Sequence, residues 1–465
     1  MTGAGQTLSE QLARFSCGLE AAALPAAVVE DATHRVLDAV GVGVAARNSD
    51  FAPAVVKVTT AAGGTEEATI LGFGDRVPAP AAAFANGALI SGEDFDDMHS
   101  VAMVHISSVV VPTLLAVGQR VRPSPELALA ALVAGAEIGL RIGAAAPHRF
   151  ILRGLHGTGV CGPFASAAVA AKLLELDDEQ TTNALGMAGS QSAGLMQGVL
   201  DGTWVKRLHA GWAAQSGITA ALFAREGFTG PREVLEGRGG LYAALLGGDA
   251  EAVDIASVTA SLGDNWLLPT TSYKGYPSGA WTHASMDGVA QLMAAHDIAP
   301  PGIDRIECTL PADAIPVVCE PRATKLKPNS PYHAKFSLPF SVALRAVLGH
   351  ATLADYSDAS LRDPRVIDLA ARVQCIADTE LPNDGFPARV SILTRDGERF
   401  RTDLLMQRGS PQSAMSRADH LAKFRENTAE VLGDGVSAEL QEWITSLWTS
   451  ADWDRLTSLL APPAP

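Results

Sequence analysis

The chain has 465 residues, 47% of them hydrophobic, and its 51 acidic residues outnumber 35 basic ones for a formal net charge of −16. Such a composition builds a large core and excludes a mostly disordered protein. A negative surface repels phosphate backbones and anionic lipids, so neither nucleic acid nor membrane is an expected partner. Any anionic substrate would need a local cationic pocket inside a repelling field.

In chain order, the start MTGAGQTLSEQLARF lacks the basic-then-apolar pattern of a signal peptide. The five cysteines, Cys17, Cys161, Cys308, Cys319 and Cys375, form no C-x-x-C pair and read as reduced thiols, not as a disulfide or zinc framework. Both observations lead us to expect a cytoplasmic protein. Residues 1–260 read as almost entirely helical, Ala-rich and apolar at helical spacing. Pro25 suits a first helical turn before AAVVEDATHRVLDAV. The most membrane-like stretch, 101–118, carries His105, Ser107, Ser108 and Pro112, which favours a buried core helix over a span. Asp177 and Gln180 form a capping-box variant ahead of TTNALGMAG. Small residues crowd 157–171 and 184–194, as at the centre of a helix bundle.

The pattern changes near Asn265, where WLLPTTSYKGYPSG is rich in turn formers. A helix is expected over 281–295, a strand over 303–310, a helix over 338–348 and a strand over 372–377. A hairpin is expected over 389–405, turning at Asp396-Gly397. Helical pattern returns over 416–459, and the tail APPAP reads as frayed. The fold class is therefore mainly α: a large all-helical domain with an inserted smaller α+β lid domain. The boundaries are 1–268 for the first part of the helical domain, 269–409 for the lid and 410–465 for the helical return.

Four constellations could carry chemistry. Glu93-Asp94-Phe95-Asp96-Asp97-Met98-His99 and then His105 set four carboxylates and two imidazoles within 13 residues. That suits a divalent metal, an acid/base cluster or a solvated helix end, and spacing leaves all three open. In Arg153-Gly154-Leu155-His156-Gly157-Thr158-Gly159, three glycines precede an Ala-rich helix. The N-terminus of that helix suits a carboxylate, and His156 could donate to it or move a proton; by itself, a lone histidine in a Gly turn is more often structural. Lys206 sits in an apolar neighbourhood within DGTWVKRLH and is either a surface residue or a buried cation needing an anion. Lys274, in YKGYP at the domain junction, is either a linker residue or a group closing over an anion. Among nucleophile and nucleotide motifs, neither G-x-S-x-G nor a P-loop is present.

The order of these segments, with the sequence between them, resembles the MmgE/PrpD family over roughly residues 10–430. The segments that carry the resemblance are GEDFDDMH with HISSVVVPTLLAVG, RGLHGTGVCGPFASAAVAAKLLELDDEQTTNALGMAGSQSAGL, KRLHAGWAAQSGITAALFAREGFTGP with VLEGRGGL, KGYPSGAWTHASMDGV and KFSLPFSVALRAVLG. The family includes 2-methylcitrate dehydratase, cis-aconitate decarboxylase and iminodisuccinate epimerase. The resemblance implies a large helical domain with an α+β lid, a homodimer, and neither cofactor nor metal. It places the family's pocket positions on Asp94, His105, His156, Lys206 and Lys274. His105 and His156 are then the proton-transfer candidates, Lys206 and Lys274 hold carboxylates, and Asp94 orients His105 or a lysine.

This chain departs from the decarboxylase pattern at Met98, where that pattern has Thr, and at Gly275, where it has a basic residue. It departs again near Gly279, where the pattern has a histidine, and at Phe340, where a tyrosine is common. Each change removes a hydrogen-bonding group, and His283 could compensate. The expectation is a lyase that dehydrates, and with less support decarboxylates, a small polycarboxylic acid. The alternatives are an epimerase and a non-catalytic carboxylate-binding protein.

Overall fold

The computed structural model describes residues 5–382 and 385–462; the last three residues of the APPAP tail lie outside them. The protein is mainly α-helical and carries two large hydrophobic cores. The first draws on residues from Leu8 to Leu268 and again from Phe424 to Leu460. The second is built from Ala280 to Ile392, joined by Met98 and Met103 from the opposite side of the seam.

The first core is a stack of Ala-rich helices whose small residues let backbones touch. The helix Lys206–Arg225 lies against Gly157–Leu173 and Ala79–Gly92. A Cβ added to Gly217 would stand 2.4 Å from the backbone nitrogen of Ala167, a distance that would force the helices apart. Every residue of Gly157–Leu173 is buried. Among the described residues, Pro125–Ala144 is the helix long and apolar enough to cross a membrane by length and composition, and 89% of that window is buried inside the protein. It lies outside 101–118, the stretch the sequence singled out. There a loop holds 101–106 and the buried helix Ser107–Val121 begins only at Ser107.

The second core packs helices on one side of a four-stranded sheet. Strands β1 (Ala68–Thr69) and β2 (Arg76–Val77) form a separate two-residue hairpin in the first region, which the all-helical expectation missed. The main sheet contains β3 (Ile303–Pro311), β4 (Val373–Asp378), β5 (Ala388–Thr394) and β6 (Arg399–Leu404), in the order β4-β3-β5-β6. Cys308 of β3 pairs in parallel with Cys375 of β4 and antiparallel with Val390 of β5. The helix Ala280–Ala295 packs on β5 and β6, and Leu338–Leu348 packs on β4. Gly397, at φ +93°, turns the β5–β6 hairpin, where only glycine is free of strain.

Local signals are realised closely. Asp177 and Gln180 make a reciprocal capping box, and Leu338–Leu348 has the expected bounds. Pro25 stands one residue earlier than expected, as the N-cap of Ala26–Ala45. Gly157 and Gly159 lie within the first turn of their helix instead of preceding it, and His156 is the N-cap. The C-terminal helix Arg417–Ser446, kinked at Gly433, packs back on Ala26–Ala45.

Candidate active site

The helix Ala79–Gly92 stops at an abrupt reversal. Glu93 is its C-cap, and Asp94 takes a left-handed φ of +54°, a conformation that costs a non-glycine residue roughly 1 kcal/mol. Strain of this kind persists where neighbours over-determine it, and the neighbours here are cations. Lys206 Nζ donates to Asp94 Oδ1 at 2.5 Å. Lys274 Nζ donates to Asp94 Oδ2 at 2.9 Å and to its carbonyl oxygen at 2.8 Å. Lys206 opens its helix from the first region, whereas Lys274 precedes the second. The carboxylate thus sits at the seam between the two cores.

The loop after Asp94 is pinned by main-chain bonds between Met98 and Ser272, at 2.8 and 2.9 Å. Lys423, from the C-terminal helix, donates to the carbonyls of Phe95 and Lys274 at 3.0 and 2.9 Å. One ammonium therefore holds both the acidic loop and the lysine-bearing loop. Asp97 serves the scaffold: it accepts from Arg35 Nη1 at 3.0 Å and from the backbone and hydroxyl of Ser107 at 3.1 and 2.6 Å.

His105 is held by its own backbone N–H, which donates to Thr158 Oγ1 at 2.9 Å. Its Nδ1 lies 2.7 Å from the Asp97 carbonyl. A carbonyl only accepts, so the proton of neutral His105 sits on Nδ1 and Nε2 is the basic atom. Asp96 Oδ1 stands 3.3 Å from the same Nδ1. His156 is the N-cap of the Gly157–Leu173 helix, and its backbone donates to the Gly194 carbonyl at 2.8 Å. The two rings are tilted, 5.6 Å between centroids. His156 Nδ1 lies 3.1 Å from His209 Nδ1, and the buried Nε2 has no partner among the described residues.

These groups line a small cavity of about 50 Å³ that contains Asp94, His105, His156, Lys206 and Lys274 in its wall. Met98, Trp281, Phe336 and Phe386 complete an apolar lining. Electrostatics separates the groups. Burial pushes the Asp94 carboxyl up, but Lys206 and Lys274 overrule it and hold the group well below the usual carboxylate range. Asp96 is likewise lowered: burial works against it, and His105 and both lysines outweigh burial. Burial, with the Lys206 charge next, holds His156 well below the ordinary histidine range, so it is neutral near pH 7. Burial lowers Lys274, with Asp94 opposing. For Lys206, burial loses to Asp94 and the group is raised.

All five expected site residues meet here. Asp94 contacts the lysines, and the group facing His105 is Asp96. Ligand atoms of Asp94, Asp96 and His105 lie within 4.8 Å of one another. Both Asp94 oxygens already carry an ammonium partner, which a metal would have to displace, so this donor set fits a metal poorly. His283 does not line the cavity; its Nε2 donates to the Ser278 carbonyl at 3.2 Å. Gly279 does line it, while Gly275 borders a neighbouring cleft. Phe340 is buried against Tyr356, away from the cavity. The reading of single motifs missed His209 and Lys423. His209 carried one signal, its place one helical turn after Lys206 on the same face.

The MmgE/PrpD N-terminal domain matches residues 10–253 and the MmgE/PrpD C-terminal domain residues 276–447. The chain is 26% identical over 470 residues to the cis-aconitate decarboxylase-like protein oryM of Aspergillus oryzae, covering 98% of this chain and 97% of that protein. It is 27% identical over 482 residues to human cis-aconitate decarboxylase, covering 99% and 96%. It is 28% identical over 235 residues to 2-methylcitrate dehydratase of Cupriavidus necator, about half of each chain at 49% and 47%. With both domains matched in order over most of its length, the chain belongs to the MmgE/PrpD family.

Proposed function

We propose that this protein is a cofactor-independent lyase that acts on a small polycarboxylic acid by moving a proton at the carbon next to a carboxylate. The observation that carries this reading is the meeting of Lys206, Lys274, His105 and His156 around one small cavity at the seam. Removing a proton beside a carboxylate builds enolate-like negative charge, and two buried ammonium groups, Lys206 and Lys274, stabilise it. A neutral imidazole with an unpartnered Nε2 takes the proton. His156 is in that state, and His105 offers its Nε2 from the adjacent wall. Lys206, Lys274, Asp94 and Asp96 carry charges that cancel. A polyanion therefore finds a cation surplus when a histidine holds a proton or when the substrate displaces Asp94 from a lysine.

A cavity of about 50 Å³ is too small for a six-carbon acid. Its lining comes from both cores, so admitting substrate requires the second region to part from the first, carrying Lys274 with it. Dehydration is the first reading: the carbanion expels a hydroxyl from the neighbouring carbon and leaves an alkene. Decarboxylation is the second, favoured by full-length relatives named as cis-aconitate decarboxylases. Proton NMR in heavy water with 2-methylcitrate, citrate and cis-aconitate distinguishes them. A new alkene signal from a hydroxy acid supports dehydration, a decarboxylated product supports the second reading, and deuterium in otherwise unchanged or inverted substrate indicates epimerisation. His156→Gln should lower kcat by about 10²–10⁴ with KM changed far less. Binding of all three acids without any turnover or exchange would overturn the enzyme reading.

We propose a homodimer as well. Phe223 and Phe228 are 52% and 61% exposed and pack together at 5.6 Å, an aromatic pair suited to an interface core. Sedimentation velocity should give twice the chain mass.

A further inference from the structure

We propose that His209 is a proton relay connecting His156 in the cavity to a neighbouring surface cleft that His209 itself lines. The inference rests on the reading of His156 as the group that takes a proton from carbon. Four observations carry it. First, His156 faces the cavity and has a buried Nε2 without a partner among the described residues. Second, the opposite ring nitrogen, Nδ1, lies 3.1 Å from His209 Nδ1. Two nitrogens at that distance share one proton, since each neutral ring carries a single N–H and only one of the facing atoms can bear it. Third, His209 lines a cleft of about 440 Å³ on the protein surface, beside Gln191, Gln197 and Trp212. Trp212 is 45% exposed, and Leu195, on the same rim, 66%. His209 thus touches the buried histidine on one side and a water-accessible cleft on the other. Fourth, the contact is tightly seated. Gly194, at φ +122°, lies under the His209 ring, and a Cβ there would come within 3.1 Å of Nδ1. The carbonyl of the same Gly194 holds the His156 backbone.

The relay balances. The substrate C–H bond breaks, its electron pair stays on carbon, and the proton goes to His156 Nε2. The proton already on His156 Nδ1 passes to His209 Nδ1. The proton on His209 Nε2 leaves to water in the cleft. His156 finishes with a proton on Nε2 and none on Nδ1, and reversing the sequence or flipping both tautomers resets it. Both rings are neutral near pH 7: burial lowers His209 to about 4 and His156 well below its ordinary value, so neither traps the proton. The cavity is small and largely apolar, lined by Met98, Trp281, Phe336 and Phe386, and the relay gives the proton an exit from it, because a proton held on His156 beside Lys206 would block the next turnover.

The test compares His209→Ala, His209→Asn and His156→Gln with the unsubstituted chain. Each is assayed for turnover and for heavy-water exchange into 2-methylcitrate, citrate and cis-aconitate. His209→Ala should lose about 10-fold or more in kcat with KM little changed. Added imidazole should restore it in proportion to concentration, because the deleted ring borders the cleft. His209→Asn keeps a hydrogen-bonding partner for His156 but cannot carry a proton through, and should stay slow. Independently of any substrate, nitrogen-15 NMR of labelled histidines should show one proton shared between the two Nδ1 atoms. If His156→Gln retains full turnover, the reading of His156 itself is wrong. If His156→Gln is inactive while both His209 variants keep wild-type kcat, the relay alone is overturned. Loss of activity in His209→Ala that imidazole does not rescue, with His209→Asn at wild-type rate, assigns His209 to positioning and likewise overturns the relay, as does absence of the shared proton.

Discussion

Glu93 and Asp94 are adjacent, both buried, and each is clasped by a lysine that reaches its carboxylate and its backbone carbonyl together. Lys274 holds Asp94 in this way, and Lys335 holds Glu93, donating to its carbonyl at 2.9 Å and to Oε2. Each acid has a second cation: Lys206 at 2.5 Å from Asp94, Arg207 at 4.0 Å from Glu93. For both acids, burial is overruled by the neighbouring cations and the carboxyl is held low. The two differ in what they face. Asp94 faces the small cavity with its two histidines. Glu93 faces a larger cleft of about 630 Å³ with Tyr332 and Tyr356 and no histidine in its lining. A buried ion pair is therefore no mark of chemistry by itself; a proton carrier beside the pair sets the Asp94 side apart.

Breaking the two clusters separately tests that distinction. Lys274→Met leaves Asp94 paired with Lys206, so the fold survives, but it removes an ammonium from the proposed transition state. We expect kcat to fall about 10²–10³-fold, the range seen for losing one preorganised donor, with a melting temperature close to wild type. Lys335→Met leaves Glu93 buried with Arg207 only at 4.0 Å. It should cost about 3–5 kcal/mol of stability, the usual consequence of stranding one partner of a buried pair, with kcat of the folded fraction within a few-fold. Parallel kinetics and thermal melts decide. Equal losses of kcat in the two variants would erase the distinction.

Acid should separate histidines from carboxylates in the same spirit. Burial, with Lys274 next, lowers His283 to about 3; burial, with His34 next, lowers His420 to about 3; and burial lowers His209 to about 4. Each is neutral when folded and regains an ordinary value near 6.5 when the chain unfolds. Below pH ~6.5 the unfolded chain binds protons that the folded one refuses, so stability is full above that pH and falls as pH drops toward the folded values. The three together should cost about 4 kcal/mol by roughly pH 5.5. The lowered carboxyls of Asp94 and Glu93 add their loss only further down, below the usual carboxylate range. Chemical denaturation from pH 8 to 5 measures the slope. His283→Asn should flatten it, and a flat wild-type profile would show that these rings are protonated in the folded chain.

How much of this was readable beforehand follows from which interactions are local. Turn and cap signals such as Asp396-Gly397 and Asp177/Gln180 act within a few residues, and the corresponding elements lie where expected. The hairpin of Ala68–Thr69 and Arg76–Val77 is too short for alternation to register. Lys206 next to Arg207 reads as a surface pair, because what buries it is Asp94, 112 residues away. Only the resemblance placed it in a pocket. Asp96 and Asp97 looked interchangeable with Asp94 in one acidic run. The fold divides them, giving Asp94 to the lysines, Asp96 to His105 and Asp97 to the start of the Ser107–Val121 helix. Lys335 and Lys423 carry no local mark, since their partners are backbone carbonyls and carboxylates 149 or more residues distant in sequence.

The smallest effect concerns Met98, which with Gly279 marks where the chain departs from the decarboxylase pattern in the cavity lining. Its backbone is fixed by the Ser272 pair, so a change of side chain alters the lining without moving the loop. Its thioether contributes apolar wall beside Lys274 and Trp281 and offers no strong donor to an anion. Met98→Thr would put a hydroxyl there. If the natural substrate fills this wall with an apolar arm, the hydroxyl is left without a partner and KM for that substrate rises about 2–10-fold, the equivalent of roughly 0.5–1.5 kcal/mol. The same variant should lower KM for cis-aconitate by a similar factor, because a third carboxylate gains a donor. Steady-state kinetics on the two acids measure the crossing. Both constants moving in the same direction would mean that Met98 sets cavity volume, not selectivity, and that the pocket's preference is written in the cations alone.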